Sequence, residues 1–208
     1  MSNIRLKQNW FDLTRRADLN CNPKETFKEL VSRYNEEGRH YHTLSHIQKC
    51  LSFSGQVKDL LDKPDQVDLA IWFHDFVYDV RQVNNEEASA KVAESFCRKA
   101  GKQKIAEPVY HLIMATKHSS KKTDDNDTKF FLDIDLAILG SPATEFFRYE
   151  QHIRKEYQHV PLNVFNQARA DILNQLLRNG VYHTEYFTTL LAEQAEINIR
   201  NSLRKLKF

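Results

Sequence analysis

The chain has 208 residues, 41% hydrophobic and 28% charged, with a formal net charge of +2. This balance describes a folded chain with a real core and excludes a disordered segment. The charge is too mild to argue for nucleic acid, and no run approaches the ~18 apolar residues of a membrane span. The three cysteines, Cys21, Cys50 and Cys97, stand far apart without a CxxC pair. A disulfide framework or zinc knuckle is therefore not expected, and a soluble protein of the reducing cytoplasm is. No apolar signal core follows Met1.

Glycine and proline number five each, few for a sheet-rich chain that needs many turns. Helical periodicity recurs almost everywhere. Residues 3–19 place Leu6, Trp10, Leu13 and Ala17 on one side. Pro23 opens a helix through Phe27, Leu30, Val31 and Tyr34 that Gly38 ends. After a connector over 39–43, Thr43 or Ser45 caps a helix over 45–62. A turn at 62–65 precedes a helix over 65–76 that carries His74 and Asp75, and 77–84 reads as a loop. Asn84 or Asn85 caps the next helix, which runs through Phe96 to Gly101, and another covers 103–117. Residues 119–127 form the one clearly polar loop, expected to be the most mobile. Phe130–Leu139 is a short apolar helix bearing Asp133 and Asp135, broken by Gly140-Ser141-Pro142. Helices over 143–157, 161–179 and 184–206 complete the chain. The last is amphipathic and offers a surface on which a homodimer can form. There is no repeat and no linker, so the expectation is a single all-α domain of nine or ten helices over residues 1–208.

The chemistry concentrates in the histidines and in carboxylates set among apolar residues. His74 and Asp75 close the run Leu69-Ala70-Ile71-Trp72-Phe73-His74-Asp75-Phe76. Polar groups beside such a helix must be satisfied, and a divalent metal accepts both imidazole and carboxylate. His42 and His46 are spaced i, i+4, which on a continuous helix puts two imidazoles on one face. Alternatively His42 lies in the loop before the helix and only His46 points inward. Asp133 and Asp135 are two apart and face different ways, so one is free to ligate a metal while the other caps a helix or pairs with a base. A purely structural role for each stands beside these readings.

The order His46, His74-Asp75, Asp135 resembles the H…HD…D signature of the HD-domain superfamily of metal-dependent phosphohydrolases. Tyr41-His42-Thr43-Leu44-Ser45-His46, Trp72-Phe73-His74-Asp75-Phe76-Val77-Tyr78, Asn85-Glu86-Glu87-Ala88-Ser89-Ala90 and Asp133-Ile134-Asp135-Leu136-Ala137-Ile138-Leu139-Gly140 resemble a bacterial subgroup described as predicted metal-dependent HD phosphohydrolases. Arg154-Lys155-Glu156-Tyr157 and Arg169 are similar to it as well, so the resemblance covers nearly the whole chain. It implies an HD-like helical bundle with additional C-terminal helices. It also implies a divalent ion (Mn, Fe, Co, Ni, Zn or Mg) held by His46, His74, Asp75 and Asp135, with His42 the alternative first ligand.

The implied reaction is hydrolysis of a nucleotide or other small phosphate ester by a metal-activated water. Asp75 serves at the reacting centre, and Glu87 and His118 are the candidate catalytic groups beside it. His42, Arg39 and Lys117 are the candidate substrate contacts, and His118 is a further phosphate contact. A first-turn carboxylate is the plain reading of Glu87, and a solvated helix end that of Lys117. His111 and His118, seven residues apart, raise a two-metal site, although two helical turns span ~10 Å. Tyr149, Arg154, Tyr157 and Arg169 read as lining from the C-terminal helices or as a packing network. The alternatives to a phosphohydrolase are a non-catalytic nucleotide- or metal-binding module, a helical interaction protein with merely buried histidines, and a di-metal oxygenase of the HD type.

Overall fold

The computed structural model describes residues 3–117 and 123–206. It is all-α, with ten α-helices and no strand among the described residues. They are α1 (Asn3–Arg16), α2 (Pro23–Arg33), α3 (Leu44–Gln56), α4 (Pro64–Phe73), α5 (Asn85–Lys99), α6 (Gln103–Ala115), α7 (Asn126–Leu136), α8 (Ala143–Glu156), α9 (Leu162–Asn179) and α10 (Glu185–Leu206). Short 3₁₀ turns occupy Lys58–Leu60 and Ala137–Gly140. Of the polar stretch 119–127, residues 119–122 lie outside the described residues, as does His118. No helix among the described residues is long and apolar enough to cross a membrane.

Where the sequence reads as one domain, the helices gather into two compact units, Met1–Phe131 and Leu132–Phe208. The division falls inside α7, so no run of glycine, proline or serine marks it.

In the first unit α4 is the central element and packs on α1, α3, α5 and α6. Every residue from Val67 to Phe73 is buried, apolar save Asp68, which is held by Ser54 and Arg16. Trp72 meets Trp10 edge-to-face at 5.5 Å between ring centroids, and Phe73 stacks toward Phe96 at 5.0 Å. Fully burying side chains of this size stabilises a fold by roughly 1.5–3 kcal/mol each. α4 has no side-chain cap of its own at Lys63. The Asp127 carboxylate instead holds the turn before it, accepting from the backbone N–H groups of Asp62 (2.7 Å) and Lys63 (2.8 Å). α2 is capped by Asn22, which accepts from Lys24 N and Glu25 N. Gly38 sits at φ +91° in the turn that follows α2, where a side chain would be strained.

The second unit contains α8, α9 and α10 with the Ala137–Gly140 turn. Gly140 is required by close approach: a Cβ there would stand 2.6 Å from Leu191 Cβ. Asp133, with no exposed surface, accepts from His183 N (2.7 Å), Thr184 N (2.8 Å) and Thr184 Oγ1 (2.7 Å). It thereby holds the turn leading into α10, whose Phe187 N donates to Thr184 Oγ1.

Candidate metal centre

α4 ends at Phe73, so His74 and Asp75 stand in the turn just past the helix rather than within it. His74 N still donates to Ala70 O (2.8 Å), which continues the helical ladder by one residue. Its ring Nδ1 lies 2.9 Å from Ile71 O. A carbonyl only accepts, so Nδ1 carries the proton, and in the neutral ring Nε2 then presents a lone pair. α3 brings the second imidazole. Thr43 is the N-cap, its Oγ1 accepting from Ser45 N, and His46 follows in the first turn. His42 therefore precedes the helix, in the loop arrangement, with its ring 6.1 Å from that of His46 and stacked on Tyr78 at 4.2 Å.

His46 Nε2 and His74 Nε2 approach to 3.1 Å, His74 Nε2 and Asp75 Oδ2 to 3.0 Å, and His46 Nε2 and Asp75 Oδ2 to 3.8 Å. Both histidines are 3% exposed, and Asp75 Oδ2 is a buried oxygen without a hydrogen-bond donor. The contact from His74 would supply one only if the ring were doubly protonated. The His74 Nε2 lone pair, the His46 Nε2 atom and the Asp75 carboxylate thus lie close together, an arrangement a cation would satisfy. Ligands at roughly 2.1 Å from a first-row ion are about 3.0 Å apart at right angles and about 3.4 Å apart in a tetrahedron. The separations match that scale, and the donor types suit such an ion. The three residues form a group that could hold a metal.

Burial pushes the Asp75 carboxyl up, but the charges of His74, His42 and His46 outweigh it and hold the group well below the usual carboxylate range. Burial pushes the Tyr34 hydroxyl far up, so it remains a neutral donor, and it donates to Trp72 O at 2.9 Å.

Of the other expected site residues, Arg39 belongs to the same constellation but faces inward. Its side chain is 2% exposed, and its terminal amines donate to the backbone carbonyls of Asp75, Phe76 and His42. It is not placed as an open phosphate contact. Glu87 lies in the first turn of α5, partly exposed and paired with Lys91. That hydrogen bond and charge, helped by Lys117, hold its carboxyl below the ordinary range, so at neutral pH it is able to accept a proton rather than donate one. Lys117 is exposed just beyond α6. His111 is 67% exposed, 3.6 Å from Glu107 one turn away, which is a solvated pair rather than a ligand position. Asp135 belongs to the second unit, half-buried on the last turn of α7. In that unit Arg169 bonds Glu150 and Tyr149, and Arg154 bonds the carbonyls of Tyr157 and Val160, so both act in packing.

Two neighbours of the centre escape a reading by composition. Cys50 Sγ lies 3.7 Å from both ring nitrogens of His46. Its signal was the i, i+4 spacing from His46, which equally describes a core position. Tyr34 reads as a core aromatic on α2, and nothing local indicates that its hydroxyl reaches the end of α4. Compared with known proteins, the chain matches no family model, no curated protein and no solved structure.

Proposed function

We propose that the protein is a metal-dependent phosphohydrolase of the HD type acting on a nucleotide or other small phosphate ester. The observation that carries this reading is the convergence of His46 Nε2, His74 Nε2 and the donorless Asp75 Oδ2. The resemblance in sequence adds Asp135 as the fourth ligand. Two imidazoles and carboxylates form a mixed nitrogen–oxygen set that favours Mn, Fe, Co, Ni or Zn over Mg. When bound, such an ion supplies Lewis acidity and an activated water.

The chain's own residues do the rest. The Ile71 carbonyl fixes the His74 tautomer with Nε2 toward the site. His42, outside the helix and stacked on Tyr78, offers an imidazole to the substrate side of Asp75. Glu87 is ionised and serves as a proton acceptor, with Lys117 near enough to feel its charge. Lys117 and His118 are the phosphate contacts in this reading.

The test is metal analysis of protein purified without a histidine tag, followed by turnover of a phosphate-ester panel with each ion added. About one ion per chain and turnover that disappears in Asp75→Ala with the fold retained are the expected results. Metal without turnover on any ester leaves a binding module. Neither bound metal nor a thermal shift on adding any of these ions defeats the proposal.

A further inference from the structure

We propose that Arg39, backed by Tyr34, is the positioning group of the metal centre: a buried cross-tie between the turn carrying His74 and Asp75 and the turn leading into His46. The inference rests on the metal-centre reading above and adds a residue that acts through the ligands rather than on the ion.

A helix end leaves its last carbonyls without intrahelical partners. At the end of α4 and in the turn beyond, nearly every one is claimed. Ala70 O accepts from His74 N and Phe73 O from Phe76 N. Ile71 O accepts from the His74 ring, and Trp72 O from the Tyr34 hydroxyl. Asp75 O accepts from Arg39 Nη1 at 2.7 Å and Phe76 O from Nη2 at 3.0 Å. Nη1 also reaches His42 O at 3.3 Å, four residues before His46. One guanidinium thus joins the two ligand-bearing segments.

Its setting is costly and specific. The plane lies against the rings of Tyr34 and Tyr78, each 5.3 Å away, and Tyr78 in turn stacks on His42. The one carboxylate on it, Glu36 at 3.2 Å, is itself 39% exposed. Burying a cation mainly on carbonyls is a demanding way to stabilise a loop. A planar fork with donors in several directions is what two turns held in register require, and the point charge of a lysine does not reproduce it. Groups that orient ligands in this way typically change metal affinity 10- to 100-fold when removed.

The experiment compares wild type, R39K and Y34F by titration with Zn²⁺ alone and Mn²⁺ alone against a competing chelator. Circular dichroism and melts in excess chelator report the fold. R39K is expected to weaken the metal Kd by roughly ten- to hundredfold, and Y34F by a smaller factor in the same direction. Both should keep a cooperative apo melt. Long-range ¹H–¹⁵N spectra of the metal-free protein add a signature that a merely structural role does not move. Wild type shows His74 protonated at Nδ1, and R39K shows a mixture of tautomers. If R39K does not fold, Y34F alone decides. Unchanged metal affinity in the folded variants, beside a wild type that binds, overturns the cross-tie and leaves the metal centre standing. A wild type that binds neither these ions nor Fe²⁺, Co²⁺ or Ni²⁺ in the same titration overturns the metal centre itself.

Discussion

Asp75 and Asp133 are carboxylates set in equally apolar surroundings, one in each unit, and they meet opposite partners. Asp133 is enclosed by donors: two backbone N–H groups and a hydroxyl hold both of its oxygens. Asp75 Oδ2 is buried without a donor and lies beside the Nε2 atoms of two imidazoles. A carboxylate enclosed by donors completes a fold. A carboxylate set among imidazole nitrogens is one that a cation would complete. The most direct way to break this contrast is to truncate each side chain. Asp75→Ala should drop the metal content from about one ion to less than about a tenth of an ion per chain, because the proposed set of four ligands loses its buried carboxylate. In excess chelator its melt should match or exceed that of wild type, since the substitution removes a buried oxygen that lacked a donor. Asp133→Ala should do the reverse. It leaves the N–H groups of His183 and Thr184 without an acceptor, and denaturant unfolding should show a loss of about 3 kcal/mol. An Asp75→Ala protein that melts well below wild type in chelator would mark Asp75 as structural too.

The two carboxyls also respond to pH with opposite sign. Burial raises the Asp133 pKa above the ordinary value despite its donors. Its contribution to stability is fully present below the ordinary carboxylate range of about 3.9 and declines as pH rises through the folded value. The Asp75 pKa is lowered, so its ionised form survives as pH falls and is lost only beneath that range. Acid release of the metal should therefore follow the imidazoles, which ordinarily protonate near pH 6.5, and not the carboxylate. Chelator-competition titrations from pH 8 to pH 4 should show affinity falling between about pH 7 and pH 5. A flat profile down to pH 5 with release near pH 4 assigns the metal to carboxylates alone.

The sequence carries one side of this contrast better than the other. Apolar periodicity and scarce glycine and proline suffice for the helices, and Thr43, one of the two caps the sequence offers for α3, is the one the structure uses. The pairing of His46 with His74-Asp75 comes from the resemblance to the HD signature, since the residues alone leave His42 and His46 both open. What Arg39 does is not legible. A basic residue in a polar loop beside a candidate site reads as a phosphate contact, and only the path of the chain reveals that its amines face the carbonyls left over by α4. The same holds for Asp127, which holds the turn before α4, more than sixty residues earlier in the chain. The division inside α7 was equally invisible, since a helix that continues through a boundary leaves no compositional mark.

The smallest expected effect sharpens the contrast from outside the centre. His111 is an imidazole with a carboxylate at 3.6 Å, which in sequence looks as much like a ligand as His46 does. It differs in that both partners are largely exposed, so water satisfies the ring and no cation is needed to complete it. An exposed i, i+4 pair of this kind contributes about 0.5 kcal/mol or less. His111→Ala should therefore leave the melting behaviour within that margin and the metal content at one ion per chain. A content that falls from two ions to one in His111→Ala would show that exposure is no bar to ligation here. It would also move the chemistry toward the di-metal class and defeat the rule by which Asp75 was told apart from Asp133.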